Sequence, residues 1–153
     1  MYIVKTDYKS RISTELLNLI LTRIIDGEDG VDEVQILTDI SKTAVDIITG
    51  YSEKLYDIAP EWSKTGVTRN YQILNWAISI ALYQLYQRIE DYDVPQKAIK
   101  NYDDTIDTLE RLSTGKFNIN LPAAASGTDG GSTDVPTTGI RRFGSKKPRS
   151  HNL

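Results

Sequence analysis

The sequence predicts an all-α fold: a bundle of four to five helices followed by an extended C-terminal arm and tail. Three observations carry this. Apolar residues recur at helical spacing in four long blocks between residues 14 and 112. Cap and breaker residues punctuate these blocks. After Gly115 the helical pattern stops, leaving 38 residues with no such period. The spacing divides the chain into a helical domain (1–115), an arm (116–121), a linker (122–139) and a basic anchor (140–153).

Thr6 is placed to cap a short first helix over residues 7–11, with Asp7 in its first turn. Ser13 then caps a helix over 14–25, with Leu16, Leu17, Ile20, Leu21, Ile24 and Ile25 on its stripe. Leu19 widens that stripe and predicts cover on more than one side. The stretch Asp26, Gly27, Glu28, Asp29 and Gly30 breaks the chain. Asp32 and Gln35 have capping-box spacing, opening a long amphipathic helix over 33–55 with Ile36, Leu37, Ile40, Ala44, Ile47, Ile48, Tyr51 and Leu55. Residues 57–69 form a loop broken by Pro60 and Gly66, with Trp62 as an anchor.

A central helix is expected over 70–91, with Ile73, Leu74, Ala77, Ile78, Ala81, Leu82, Leu85, Tyr86 and Ile89 making a broad face. That breadth favours cover by a partner subunit. Asp93 and Gln96 repeat the capping-box spacing, and Pro95 suits a first turn. Ile99, Tyr102, Ile106, Leu109 and Leu112 line the last helix, and Gly115 ends it. Phe117, Ile119 and Leu121 alternate with polar residues, the pattern of a short strand or an extended arm close to the bundle.

Composition narrows the function classes. The chain of 153 residues has 18 basic and 21 acidic side chains. Residues 116–153 hold six of the basic and two of the acidic ones, leaving twelve and nineteen in the body. The body is thus acidic and a poor duplex clamp, because duplex binding is driven by neutralising phosphates. There is no cysteine, which excludes disulfides and thiolate metal sites. The N-terminus lacks the basic-then-apolar pattern of a signal peptide. The most apolar segment, residues 71–89, contains Gln72, Asn75, Ser79, Gln84, Gln87 and Arg88 and is too polar for a membrane span, so no membrane partner is expected.

No catalytic, cofactor or metal site can be assembled. The sole histidine, His151, lies three residues from the end, so Ser-His and Cys-His pairs are absent. Residues 26–33 are acidic, but neither register of an EF-hand loop places oxygen ligands and glycine correctly: from Asp26, Gly30 falls at position five and Val31 at six. A tight turn before an acidic helix start explains them. Asp103, Asp104 and Asp107 cluster without the histidine a carboxylate-bridged metal site needs, so they read as a solvated face or one matched to a basic partner. Gly127, Gly130 and Gly131 do not sit between a strand and a helix and form no phosphate loop. Tyr51, Tyr71, Tyr83, Tyr86 and Tyr102 fit either a core rim or a protein interface.

The tail carries the strongest signal. Residues 122–139 are Ala/Ser/Gly/Thr/Pro-rich, with Asp129 and Asp134 as their only charges. Such a spacer has an r.m.s. reach of roughly 20–25 Å, and about 60 Å at full stretch. It leads to Ile140, Arg141, Arg142, Phe143, Lys146, Lys147 and Arg149, a basic hook with an aromatic and an aliphatic residue. These seven are the candidate partner-binding residues: arginine pairs bidentately with carboxylates, and Phe143 can fill a pocket. An alternative reading is a nucleic-acid-binding accessory protein that uses this basic tail.

The chain resembles the head–tail adaptor (head completion, or connector) proteins of tailed phages and Mu-like prophages. The resemblance rests on an ordered set of residues. Met1, Tyr2 and Ile3 precede Asp7. Asp26, Gly27, Asp29, Gly30, Val31 and Asp32 lead into a helix with Asp46, Ile47, Gly50 and Tyr51. Ala77, Ala81, Tyr83, Leu85 and Tyr86 mark the core helix. Tyr102, Ile106, Leu109, Leu112, Gly115, Phe117 and Ile119 mark the last helix and exit, and Arg142 with Phe143 the tail. The Pro-rich stretch usual in that family is reduced here to Pro60, and the linker 122–139 is long. The resemblance implies a structural virion protein with no catalytic residues and no cofactor. It implies a ring homo-oligomer, typically a dodecamer, beneath the portal protein, with the tail docking on the portal or an adjacent ring. A downstream stopper or tail protein would bind below, DNA would only pass through the lumen, and the subunit would reside in the host cytoplasm during assembly.

Overall fold

A computed structural model describes residues 1–89 and 92–124. The described residues form four α-helices: α1 (Thr14–Gly27), α2 (Glu33–Ser52), α3 (Tyr71–Gln87) and α4 (Gln96–Ser113). Three 3-10 turns accompany them, at Lys5–Ser10, Ala59–Ser63 and Gly66–Thr68. No strand is present among the described residues. The all-α bundle is as the apolar periodicity predicts.

α3 is the centre. It packs against α2, α4, α1 and the first 3-10 turn. Ten of its residues are buried, among them Ile73, Trp76, Ala77, Ile78, Ile80, Ala81, Leu85 and Tyr86. Its broad apolar face is therefore covered by the chain's own elements, not by a second subunit. α1 contributes Leu17, Ile20, Leu21 and Ile24, and α2 contributes Ile36, Leu37, Ile40, Ala44 and Ile48. α4 buries only Thr105, Leu109 and Leu112, because its other faces are charged and solvated. Leu19 is 50% exposed, so α1 is covered on one side only.

Local chemistry sets the ends. The Ser13 hydroxyl accepts from the Leu16 N–H at 3.2 Å, and the Asp32 carboxylate from Gln35 at 2.7 Å. The Asn70 side chain caps α3, accepting from Gln72 and Ile73 at 2.9 and 3.3 Å. Gly30 turns the chain between α1 and α2 with φ +79°. α2 ends at Ser52, three residues earlier than its stripe suggests, because Leu55 and Tyr56 both turn back to the Ser52 carbonyl at 3.0 Å. α3 ends at Gln87, short of the expected residue 91.

Two expected caps are not formed. The first turn is 3-10 and starts at Lys5, with Val4 rather than Thr6 before it; the Asp7 carboxylate reaches back to the Val4 N–H at 2.8 Å. α4 begins after Pro95, which occupies the cap position with no side-chain cap. Proline forces Val94 toward extended backbone, which moves Asp93 out of capping geometry.

The arm lies against the bundle. Ile119 is buried, and the Phe117 ring sits 6.1 Å from Trp76. Asp57 donates to the Pro122 carbonyl at 2.9 Å and Ala124 to the Leu55 carbonyl at 3.0 Å, around a single antiparallel bridge between Tyr56 and Ala123. The period-two pattern thus gives a docked strap instead of a strand.

Candidate interaction surfaces

The predicted partner-binding residues Ile140, Arg141, Arg142, Phe143, Lys146, Lys147 and Arg149 lie outside the described residues, as do His151 and residues 125–139 of the linker. The arm residues are placed. Phe117 and Leu121 are half-buried and Ile119 is buried, so all three side chains serve the strap's own packing.

Four perturbed titratable groups, Tyr2, Asp7, Glu61 and Arg69, gather in a network that sequence reading does not foresee. Arg69 donates through Nη1 to Asp7 Oδ2 at 2.6 Å and through Nη2 to Asp7 Oδ1 at 2.9 Å, a bidentate pair. The same Nη1 reaches the Tyr2 carbonyl at 2.7 Å. Beside it, Glu61 is 1% exposed. Its carboxylate accepts from the Tyr2 hydroxyl at 2.8 Å, from Lys64 Nζ at 2.7 Å and from the Asn70 N–H. Burial pushes Asp7 upward, but the Arg69 hydrogen bonds and the Val4 N–H outweigh it and hold the carboxyl below its ordinary range. Glu61 is held low against burial in the same way by Lys64, Asn70 and Tyr2. Burial, and then the Glu61 hydrogen bond, drive the Tyr2 hydroxyl upward. Carboxylates held low favour ion pairing and are poor proton donors near neutrality. The network ties the N-terminus to the loop before α3. Its N-terminal half, Tyr2 and Asp7, lies about sixty positions from its loop half, as Tyr2 is from Glu61, so no local pattern announces the link.

The acidic stretch at residues 26–33 contains the expected turn and helix start, but Asp26 and Gly27 still belong to α1, so the break begins only at Glu28. Glu28 pairs with Arg88 through two bonds, Nε to Oε1 at 3.0 Å and Nη2 to Oε2 at 2.5 Å. Among the described residues no group of three His, Cys, Asp or Glu is arranged to hold a metal ion. No described helix is long and apolar enough to cross a membrane.

The grooves on the described surface include two bordered by α4. A polar one of about 820 Å³ runs between α3, α4 and the first 3-10 turn, with Arg11, Asn75, Trp76, Lys97, Asn101 and Asp104 in its walls. A more apolar one of about 330 Å³ lies between α2 and α4, lined by Asp46, Ile47, Gly50, Tyr51, Tyr102 and Ile106. Tyr102 stacks on Tyr83 at 4.1 Å between centroids and 18° between planes. Tyr86 is buried, whereas Tyr71 is 76% exposed. The helical tyrosines therefore divide between core rim and open surface. The arrangement offers shape and charge for binding.

Comparison with protein families decides the broader identity. The family model described as Bacteriophage Mu, Gp36 matches residues 2–135. The chain belongs to this family. It is thus a phage-type protein, and the Gp36 match covers the bundle, the strap and most of the linker. Neither the curated proteins nor the solved structures give a match.

Proposed function

We propose that the chain is a structural head–tail connector adaptor of the phage particle. Copies form a ring under the portal, probe it with their basic C-terminal segments, and leave a lumen for DNA. The observation that carries this reading is the Gp36 family match over residues 2–135. The family places the chain among phage proteins, and the body's chemistry is that of a binding part.

Other features support it. The acidic body suits a conduit that must not grip DNA. Val67 is fully exposed and Tyr71 nearly so, at the loop entering α3, where a neighbouring bundle in a ring could cover them. The residues proposed to dock are Ile140, Arg141, Arg142, Phe143, Lys146, Lys147 and Arg149.

The test is native mass measurement of the protein alone and mixed with its portal protein. The mixture should give a closed ring on the portal. Deleting residues 136–153 should leave the helical circular-dichroism spectrum unchanged and abolish portal attachment. Normal assembly of the truncated chain onto portals refutes the docking role. Tight, steeply salt-dependent duplex binding by the full-length monomer would point to a nucleic-acid accessory instead.

A further inference from the structure

We propose that the groove between α2 and α4 is a dock for this chain's own basic segment, residues 140–149, so that in the unassembled subunit the hook is parked on its own body. The proposal concerns the groove and holds whether or not the hook later meets a portal.

The groove has the chemistry to receive such a segment. Its floor is Ile47, Tyr51, Tyr102 and Ile106. Gly50 opens it: a Cβ built there would meet nothing within 4 Å. Asp46 stands on the α2 rim, and Asp103 and Asp107 continue the α4 rim, all three exposed. Between residues 103 and 110, α4 carries Asp103, Asp104, Asp107 and Glu110 with no cation. The basic residues on these two helices are Lys42 on α2 and Lys97, Lys100 and Arg111 on α4, and none of them lines the groove. Half-buried tyrosine rings supply π-faces for guanidinium groups. A fitting occupant is cationic, with arginines beside one aromatic and one aliphatic side chain. Ile140, Arg141, Arg142 and Phe143 have that composition, and Lys146, Lys147 and Arg149 extend the charge.

The last described residue also lies in the right place. Ala124 is bonded to Leu55, three residues beyond the end of α2 and only a few positions from Gly50 and Tyr51. Along a helix that separation is roughly 6–14 Å. Fifteen residues, 125–139, lie between Ala124 and Ile140. A Gly/Ser-rich stretch of that length spans roughly 20–24 Å r.m.s., so the dock is well within reach. Tethering at this range gives an effective concentration on the order of 1 mM, so a groove with an affinity of only ~0.1 mM would be mostly occupied. The acidic body and basic tail add long-range attraction, which salt weakens.

The absence of cysteine makes the test direct. Ser145→Cys takes a nitroxide label at a single site in the full-length chain, and amide signals are read by NMR. At low salt, signals of residues 46–51 and 102–107 should lose intensity severalfold, and high salt should restore them. R141E/R142E changes only the tail and should abolish the effect without touching the fold; D46N/D103N should weaken it from the body side. Broadening that is absent, falls on another face, or appears only when labelled chain is mixed with unlabelled-tail chain overturns the proposal. The last outcome would make a second copy the host.

Discussion

Asp7 and Arg69 are the residues whose loss should be felt most. Their side chains are 11% and 7% exposed and joined by two short bonds. Removing one partner leaves the other buried and uncompensated, which costs about 3–5 kcal/mol. Arg69→Ala should therefore lower the urea midpoint strongly, and Asp7→Asn should do so by a smaller amount, since an amide keeps one acceptor. Arg69→Lys should not rescue, because an ammonium cannot make the fork. The same network sets acid sensitivity. Asp7 and Glu61 are depressed from ordinary values of 3.8 and 4.5, so the unfolded chain binds more protons in acid. Their stabilisation is present above those ordinary values and is lost as pH falls through the lower folded ones. Denaturation midpoints should hold steady near neutrality and drop below about pH 4; Arg69→Ala should flatten that drop. Nothing in the sequence marks this cluster. Glu61 reads as a loop acid beside Pro60 and Trp62, and its burial depends on the N-terminus returning over the loop, a contact set by tertiary packing.

At the scale of the element, two glycines should respond in opposite directions. Gly50 lies inside α2 with ordinary helical backbone and open space around it. Gly50→Ala removes backbone freedom from the unfolded chain and should stabilise by roughly 0.5–1 kcal/mol. Gly115 has φ +71° and stops α4; Lys116 and Phe117 both bond back to the Arg111 carbonyl, at 2.8 and 3.1 Å. A Cβ there would be 4.0 Å from the Leu55 side chain, so space is not the obstacle. The left-handed backbone is, and Gly115→Ala should destabilise by about 1 kcal/mol. Thermal melts of the two variants check the signs. The helix ends show what sequence can reveal. Gly115, Ser13 and Asp32 act through their own backbone or the adjacent turn, so their roles are legible. The starts of the first turn and of α4 are not. Asp7 is engaged by Arg69, more than sixty positions away, and Pro95 displaces Asp93 from the cap. The broad face of α3 was legible as apolar, but its cover depends on how α1, α2 and α4 surround it.

For the whole molecule, the strap carries the packed body beyond its last helix. The helical period stops at Gly115, yet the structure continues to Ala124. Phe117 packs on Trp76, Ile119 is 9% exposed, the Tyr56 hydroxyl bonds Asn118 at 3.2 Å, and backbone bonds join Asp57 to Pro122 and Ala124 to Leu55. Burying Ile119 contributes about 1.5–3 kcal/mol, half-burying Phe117 a part of that range, and the strap's hydrogen bonds about 1 kcal/mol each. Truncation after residue 115 should therefore lower stability by roughly 3–5 kcal/mol, a large part of the total for a domain of this size. Truncation after residue 124 removes the linker and the basic hook but none of these contacts, and at high salt, where the hook is undocked, should melt like the full chain. Urea titrations of both truncations separate the two roles of the C-terminal third. Equal stability of the two would mean that residues 116–124 add nothing to the body. The expected gap would mean that the anchor hangs from a clasp rather than from the helix end. In that case pull on the hook passes first to the Leu55–Tyr56 turn at the end of α2.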